Sequence, residues 1–379
     1  MQKKLVVKAG KHDCVYTPIT VPVETAEADA ALIDDATGKT IACQPSAGQV
    51  SFILDRLKAG EERAFTLRVN EGDVRNPARV RLRDVEGERV DIIISGKHFS
   101  SYHYASKWVR PFLHPVIGPN GQPITRGYPV VEDIPGESQD HPHHKSFWVA
   151  WGDVNGTDHW SENPERHAYQ RHKEFIALEE GAAYGRIVVA NEWVGRDGSK
   201  VLDETRTITI YATPPKLRIV DLEVTFKATA GAVRFGDTKE GGICSVRVAS
   251  SMEEKRGNGC IRNSYGGVTE EETWGKRAHW CDYCGPVGDD IVGIAIFDTP
   301  GNFRYPTYWH VRAYGLMTAN PFGISYFERD ESKDGSLELE AGGELTFRYR
   351  VLFHAGDTLK AKIADRFLNY IEPPKVELI

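Results

Sequence analysis

No stretch of the sequence approaches the ~18 consecutive apolar residues of a membrane-spanning helix. That absence argues against a membrane partner. There is no basic surplus either: 47 Lys and Arg face 54 Asp and Glu, a formal net charge of -7. A nucleic-acid binder needs a cationic face to neutralise phosphates, so none is expected as partner. Six cysteines in 379 residues are too few for a disulfide scaffold. Cys281 and Cys284 form a C-x-x-C with no second pair at matching spacing, which reads as two reduced thiols near a strand rather than zinc ligands. The basic N-terminus, Met1 to Lys8, lacks the apolar run of a signal peptide, so the expectation is a cytoplasmic protein. Also missing are a P-loop, a G-x-G-x-x-G, a G-x-S-x-G elbow and an H-E-x-x-H. Nucleotide-driven chemistry, hydride transfer to bound NAD and serine hydrolysis are therefore disfavoured.

What is present is mostly β. In Leu217 to Phe226, Val220, Leu222, Val224 and Phe226 alternate with Asp221, Glu223 and Thr225. Leu345 to Phe353 repeats the alternation. A period of two marks half-buried antiparallel strands. Shorter runs at Val50–Leu54, Ala64–Val69, Val90–Ile94, Arg186–Asn191, Thr205–Tyr211 and Ile291–Phe297 are expected strands. Asp197-Gly198, Asp334-Gly335 and Asn120-Gly121 supply turn signals, the first two of hairpin type. The pattern predicts a large antiparallel β-sandwich. Leu359, Ile363 and Phe367, four apart and closed by Pro373-Pro374, predict one C-terminal helix.

All eight Trp and twelve of the 13 His lie beyond residue 95. This shift predicts a small N-terminal β domain over 1–95 and a larger, site-bearing domain over 96–379. Three segments of the larger part could carry chemistry. One runs from Tyr102 to Trp160 and holds Arg110, His141, His143, His144, Trp148, Trp151, Asn155 and Trp160. Three imidazoles within four residues suit proton transfer or metal binding, and indole faces suit stacking on a sugar ring. A second holds Asp237, Lys239, Glu240 and Arg247 among glycines that allow close backbone approach. A third holds Trp274, His310, Arg312, Tyr314 and Asn320.

The runs RPFLHPV, DHPHHKSFWVAWGDVNG, GDTKEGG with RVA, WGKRAHWCDY and PTYWHVRAYGL with NPFG resemble the DUF6807 family over roughly residues 100 to 355. Many of its members carry the label PmoA, for a membrane subunit of methane monooxygenase. The lack of a membrane segment here argues against that meaning. The resemblance implies a galactose mutarotase-like supersandwich and a role in bacterial sugar catabolism, with histidines and a carboxylate as acid and base. Ala313 departs from the family pattern, which has Asp there, and residue 313 is left out of the site.

The leading expectation is a carbohydrate-active enzyme, of lyase, hydrolase or epimerase type, acting on a sugar, glycoside or keto-sugar. Its acids and bases would be His143, His144, Glu240 and His310. Arg110, Trp148, Trp151, Asn155, Trp160, Lys239, Arg247, Arg312, Tyr314 and Asn320 would bind substrate. No cofactor is required, but a divalent metal is an alternative, held by His141, His143, His144 and His310 with Glu240 or Asp237. A non-catalytic carbohydrate-binding protein is the third reading. The oligomeric state is left open.

Overall fold

A computed structural model describes residues 2–23, 29–46, 48–69 and 76–379. Met1 and parts of the expected 1–95 unit lie outside the described residues. The architecture is mostly β and antiparallel, dominated by two large facing sheets. One has nine strands, in the order Lys276–Arg277, Tyr308–Val311, Leu316–Asn320, Gly241–Arg247, Phe147–Trp151, Phe112–Val116, Lys97–His103, Arg89–Ile94 and Val80–Val85. The other has eight: Tyr169–Glu179, Tyr184–Val194, Lys200–Tyr211, Leu217–Lys227, Glu344–Ala355, Asp290–Phe297, Trp280–Val287 and Cys260–Asn263.

Alternation along these strands builds the core. Val220, Leu222, Val224 and Phe226 from the eight-stranded sheet join Phe147, Val149, Trp151, Trp309 and Met317 from the nine-stranded one. Phe99 and Phe353 meet edge-on across the interface with ring centres 5.7 Å apart. On the outer face of the eight-stranded sheet the polar partners pair across strands. Asp221 holds Arg350 through two 2.7 Å bonds, and Thr225 meets Thr346 at 2.8 Å. Each expected strand lies within an observed one.

The N-terminal strands make a five-stranded and a three-stranded sheet around their own core, including Leu5, Leu32, Phe52 and Leu67. The expected division between residues 95 and 96 needs correction. Arg89–Ile94 and Lys97–His103 form a hairpin with Ile94 opposite Lys97, and Val90, Ile92 and Ile94 lie in the large core. A boundary there would cut a hairpin and strip apolar side chains from that core. We therefore divide the chain between Val69 and Val80. The C-terminal strand Lys375–Leu378 returns to the small unit by pairing with Gln2–Lys8.

Two further expectations shift. The C-terminal helix spans Ile363–Ile371 rather than starting at Leu359, which is exposed. Asn369 of this helix donates to the Asp13 carbonyl at 2.8 Å and Arg366 to that of Val15 at 3.0 Å, joining it to the small unit. Asp334-Gly335 makes no hairpin; the Gly335 N–H donates to Asp237 at 2.7 Å. Cys281 and Cys284 are buried, unbridged members of one strand.

Deleting residues 375–379 removes the strand that covers the Gln2–Lys8 edge. Calorimetry should then show the small unit melting several degrees lower, with the main transition of the sandwich unmoved. A single, equally shifted transition would mean that the two units unfold together.

Candidate functional site

The outer face of the nine-stranded sheet carries the chemistry-bearing residues. Register aligns one row across it: Phe112 opposite Trp148, Trp148 opposite Ser245, Ser245 opposite Thr318, and Thr318 opposite His310. Side chains alternate between faces along a strand, so this row points away from the core that takes Val149, Val246, Met317 and Trp309. Trp148 and His310 stand three strands apart, about 14 Å at ~4.8 Å per strand.

The first group sits at the Trp148 end, under the loop from Asp140 to Ser146. His141 and Ser146 have positive φ, 43° and 59°, which for residues other than glycine needs support from the surroundings. Arg126 supplies it. Its buried guanidinium donates to the carbonyls of Ser138, Asp140, His141 and His144 at 2.6–3.3 Å and to the Asp140 carboxylate at 2.7 Å. Arg110 does the same from the other side, donating to the carbonyls of His143, His159 and Trp160. Arg110 is thus a scaffold residue, not a substrate contact.

Within this frame the rings pack on one another. His144 stacks on Trp148 at 5.3 Å and on His141 at 4.8 Å, and His141 stacks on Tyr314 at 4.8 Å. Trp160 meets Trp148 at 5.7 Å. Trp148 and Trp160 are buried, and His144 covers Trp148, so they form a closed floor rather than an open stacking wall. Trp151 is on the opposite face: three residues from Trp148 on one strand, it points into the core and donates its indole N–H to the Gly236 carbonyl at 3.1 Å. Asn155 is an exposed turn residue bonded to Ala232 and Arg234. Neither reaches the face.

The second group sits at the His310 end. The Lys239 carbonyl lies 2.7 Å from His310 Nδ1. A carbonyl only accepts, so Nδ1 carries the proton and neutral His310 keeps its lone pair on Nε2. Asn320 fixes the loop that brings Lys239 and Glu240 here. Its Nδ2 donates to the carbonyls of Thr238, Lys239 and Gly241, and its Oδ1 accepts from the N–H groups of Phe322 and Gly323. Asn320 is a positioning residue rather than a substrate contact. Gly241 and Gly242 let this loop press onto the sheet: a Cβ would lie 2.5 Å from the Trp151 ring at Gly241 and 1.3 Å from Thr318 Oγ1 at Gly242. Trp274 stands edge-on to His310 at 6.4 Å.

Tyr314 links the two groups. Its ring lies 4.9 Å from the Arg247 guanidinium and 5.6 Å from that of Arg312. Arg247 is fully buried. It donates to His144 Nδ1 at 3.2 Å and to Asp140 at 2.7 Å, and lies 3.4 Å from Glu253. Because arginine only donates, His144 Nδ1 is the acceptor and its proton resides on Nε2. The two imidazoles are therefore opposite tautomers: His144 presents an N–H, His310 a lone pair.

Electrostatics keep both neutral. Burial first, then the neighbouring His143 imidazole and the Arg247 guanidinium, push His144 well below the usual imidazole range. Burial and Arg110 lower His143 to about 2. For His310 burial wins over the neighbouring Glu240 carboxylate, giving about 4. His143 is thus unsuited to the acid role expected of it. Burial raises Tyr314 to about 12, so its phenol keeps its proton.

Among the described residues no three His, Cys, Asp or Glu gather as a metal set. Of the expected ligands, His144 Nδ1 accepts from Arg247 and Asp237 Oδ2 from the N–H groups of Ser325 and Gly335, while His310 keeps its Nε2 lone pair. Arg126 and Arg247 at the histidine loop would also repel a cation. Arg126, Asp140, Glu253 and Glu270, which complete the site, are not among the residues expected from sequence. Glu270 lies 3.0 Å from Arg312, yet in sequence it sits in the acidic run Glu270-Glu271-Glu272, the usual mark of a solvated helix face.

Fold and site together define a mostly antiparallel β-sandwich with a histidine- and arginine-rich cluster on the outer face of one sheet. The chain belongs to the DUF6807 family, a family of unknown function whose model matches residues 89–368. No curated protein matches the sequence. Among solved structures, three similar ones are a protein in glycosyl hydrolase family 38 from Enterococcus faecalis, an alpha-galactosidase from Lactobacillus brevis and a GalM/aldose epimerase homologue from C. elegans. Their identities are 12%, 11% and 8%, and their TM-scores 0.44, 0.34 and 0.30. The matches cover 100%, 79% and 74% of this chain, and 47%, 42% and 99% of theirs. The chain thus spans less than half the length of the first two. At these scores the likenesses carry no argument about activity.

Five buried imidazoles have lowered pKa values: His114 to about 4, His143 to about 2, His159 to about 3, His310 to about 4, and His144 well below normal. The unfolded chain takes these protons near pH 6.5 and the folded one refuses them. Stability is therefore full above pH 6.5 and falls below it, each group contributing up to about 1.4 kcal/mol per pH unit until its folded pKa is reached. Thermal melts should show a steep loss between pH 7 and pH 5. A flat profile there would mean that the histidines protonate in place.

Asn320→Ala leaves buried carbonyls and N–H groups without partners, at about 1–3 kcal/mol for each one left unsatisfied. The melting temperature should drop markedly. Asn320→Asp, which keeps the acceptor and loses the donor, should lie between that variant and the parent. Wild-type stability of both variants would show that Asn320 does not hold the 238–241 loop.

Proposed function

We propose that this protein is a carbohydrate-active enzyme that removes a proton from carbon beside a carbonyl, as a keto-sugar lyase or epimerase does. The observation that carries this reading is His310: buried, neutral, its Nδ1–H fixed by the Lys239 carbonyl and its Nε2 lone pair unprotonated at neutral pH. A base so placed takes the proton. Lys239, Arg312 and the protonated Tyr314 offer positive charge and hydrogen bonds to the oxygen on which negative charge then grows. Glu240, ion-paired to Lys239 at 3.2 Å, is a carboxylate whose charge acts on this base, and it serves as its proton acceptor or relay. Hydrolysis by general acid catalysis fits less well, because it needs a group protonated near neutral pH, and His143, His144 and His310 all resist protonation.

A sugar as substrate is supported by the mixture of groups on the face. Half-buried rings of His141, Tyr314 and Trp274 stand among hydroxyl, carboxylate and guanidinium groups suited to reading ring hydroxyls.

The test is proton NMR of the purified protein with aldoses, glycosides and 3-keto-glycosides. Turnover is expected for the keto-sugars, lowered at least ~10²-fold by His310→Gln, the scale of general base catalysis. The base form is lost as pH falls through His310's folded pKa, so kcat/KM should decline near pH 4 rather than near 6.5. Turnover unchanged in both His310→Gln and Glu240→Gln would overturn the assignment. Sugar binding without turnover in the parent protein would point to a non-catalytic binding protein.

A further inference from the structure

The C-x-x-C of the sequence is not the cysteine pair that the fold makes. Cys281 and Cys284 lie three apart on the strand Trp280–Val287, so they point to opposite faces. Cys281 belongs to the core between the large sheets. Cys284 instead sits directly opposite Cys260 of the neighbouring strand Cys260–Asn263. Residues so opposed in an antiparallel pair share a face, with Cα atoms about 4.5 or 5.5 Å apart. Both spacings fall within the ~4.4–6.8 Å that a disulfide spans. The two thiols are unbridged, and their side chains interact.

Their surroundings differ. Cys260 is partly exposed, on a strand at the end of its sheet. Cys284 is buried. The interaction with Cys284, against burial and with help from Arg262, lowers Cys260 to about 6, so it is largely thiolate at neutral pH. The interaction with Cys260, and then burial, push Cys284 upward. A reachable thiolate beside a second thiol is the arrangement of an attacking and a resolving cysteine.

The strand that carries Cys260 belongs to an excursion of the chain. After Arg247 the chain leaves the nine-stranded sheet, adds Cys260–Asn263 to the edge of the eight-stranded one, and returns at Lys276. Glu253 and Glu270 ride on this excursion, 3.4 Å from Arg247 and 3.0 Å from Arg312. Its ladder to the eight-stranded sheet is four residues long.

We propose that Cys260 and Cys284 form a redox-active dithiol, which a small-molecule disulfide of the glutathione type converts into a cross-strand disulfide that tethers the excursion. The Cys260 thiolate attacks one sulfur of the oxidant, which forms a mixed disulfide and releases one small thiolate. Cys284 gives its proton to solvent and attacks the Cys260 sulfur, which releases the second. Two protein thiols are oxidised, one small disulfide is reduced to two thiols, and solvent balances the protons. The first step also removes the Cys260 negative charge that acts on Cys284, which eases the second. The inference does not depend on the acid–base reading of the sheet face.

The full-length protein would be incubated with oxidised glutathione and, separately, with reduced glutathione. Remaining thiols would then be blocked under denaturing conditions and the linkages read by peptide mass mapping. Peptides carrying Cys260 and Cys284 should be joined after the oxidant and separate after the reductant. Cys281→Ser should keep the link. Cys260→Ser should lose it, and Cys284→Ser should lose it while trapping the glutathione adduct on Cys260. The bridged protein should melt several degrees higher, and amide hydrogen exchange over residues 253–273 should slow by ~10-fold or more. No reaction, another cysteine pairing, or a Cys260 adduct that Cys284 leaves unresolved would overturn the dithiol. A bridged protein with unchanged exchange over 253–273 would overturn the tether.

Discussion

The site depends on buried guanidinium groups. Arg110, Arg126 and Arg247 each lie at 1% exposure or less. A cation so placed is costly unless its donors are satisfied. The Nη groups of Arg110 and Arg126 are satisfied mainly by backbone carbonyls, all from the segments that carry the histidines and Trp160, while their Nε groups have no partner among the described residues. The same bonds that make the arginines tolerable therefore fix the loop. That is why His141 and Ser146 can hold positive φ, and why His144 lies flat on Trp148. Removing either arginine would release the loop as well as a charge.

This arrangement also sets the protonation states. Imidazoles beside buried cations and out of water stay neutral, and their hydrogen-bond partners choose the tautomer. Arg247, which can only donate, gives His144 its Nε2 proton; the Lys239 carbonyl, which can only accept, gives His310 its Nδ1 proton. Two histidines of one face are thereby differentiated into a donor and a base without any charge on either. Because His310 and Thr318 lie on paired strands, the proposed base stands on the sheet itself. The loop bearing Glu240 is tied to that surface by Asn320.

Much of this was legible in the sequence, and the misses have physical causes. Period-two alternation located the long strands because one face of each is buried. The His/Trp segment, the Lys-Glu-Gly-Gly segment and the Tyr-Trp-His-Val-Arg segment do share one sheet face. The same alternation, carried into Phe147–Trp151, would have set Trp151 apart from Trp148, since an odd separation on a strand reverses the face. The small-domain boundary was misplaced because composition tracks where the chemistry lies, whereas a boundary is set by which strands pair. Val80–Val85 and Arg89–Ile94 contain no Trp or His, yet they close the end of the large sheet. Arg126, Asp140, Glu253 and Glu270 were missed for a different reason: their roles arise from pairings made only in the fold, such as Arg247 with Asp140 over 107 positions.

The closed aromatic floor changes what recognition can mean here. With Trp148 covered by His144 and Trp151 in the core, a ligand does not meet indole faces. On the reading proposed above, a ligand meets the half-buried edges of Tyr314, His141 and Trp274, and between them a rim of charged side chains. Dispersion against a flat wall would favour any ring of suitable size. A rim of charges discriminates instead by polar substituents, since a buried donor left without an acceptor is penalised more than a lost apolar contact. On that reading, specificity rests with the arginine, lysine and carboxylate side chains around Tyr314. Trp148 and Trp160 pack beneath that rim, while Trp151 belongs to the core.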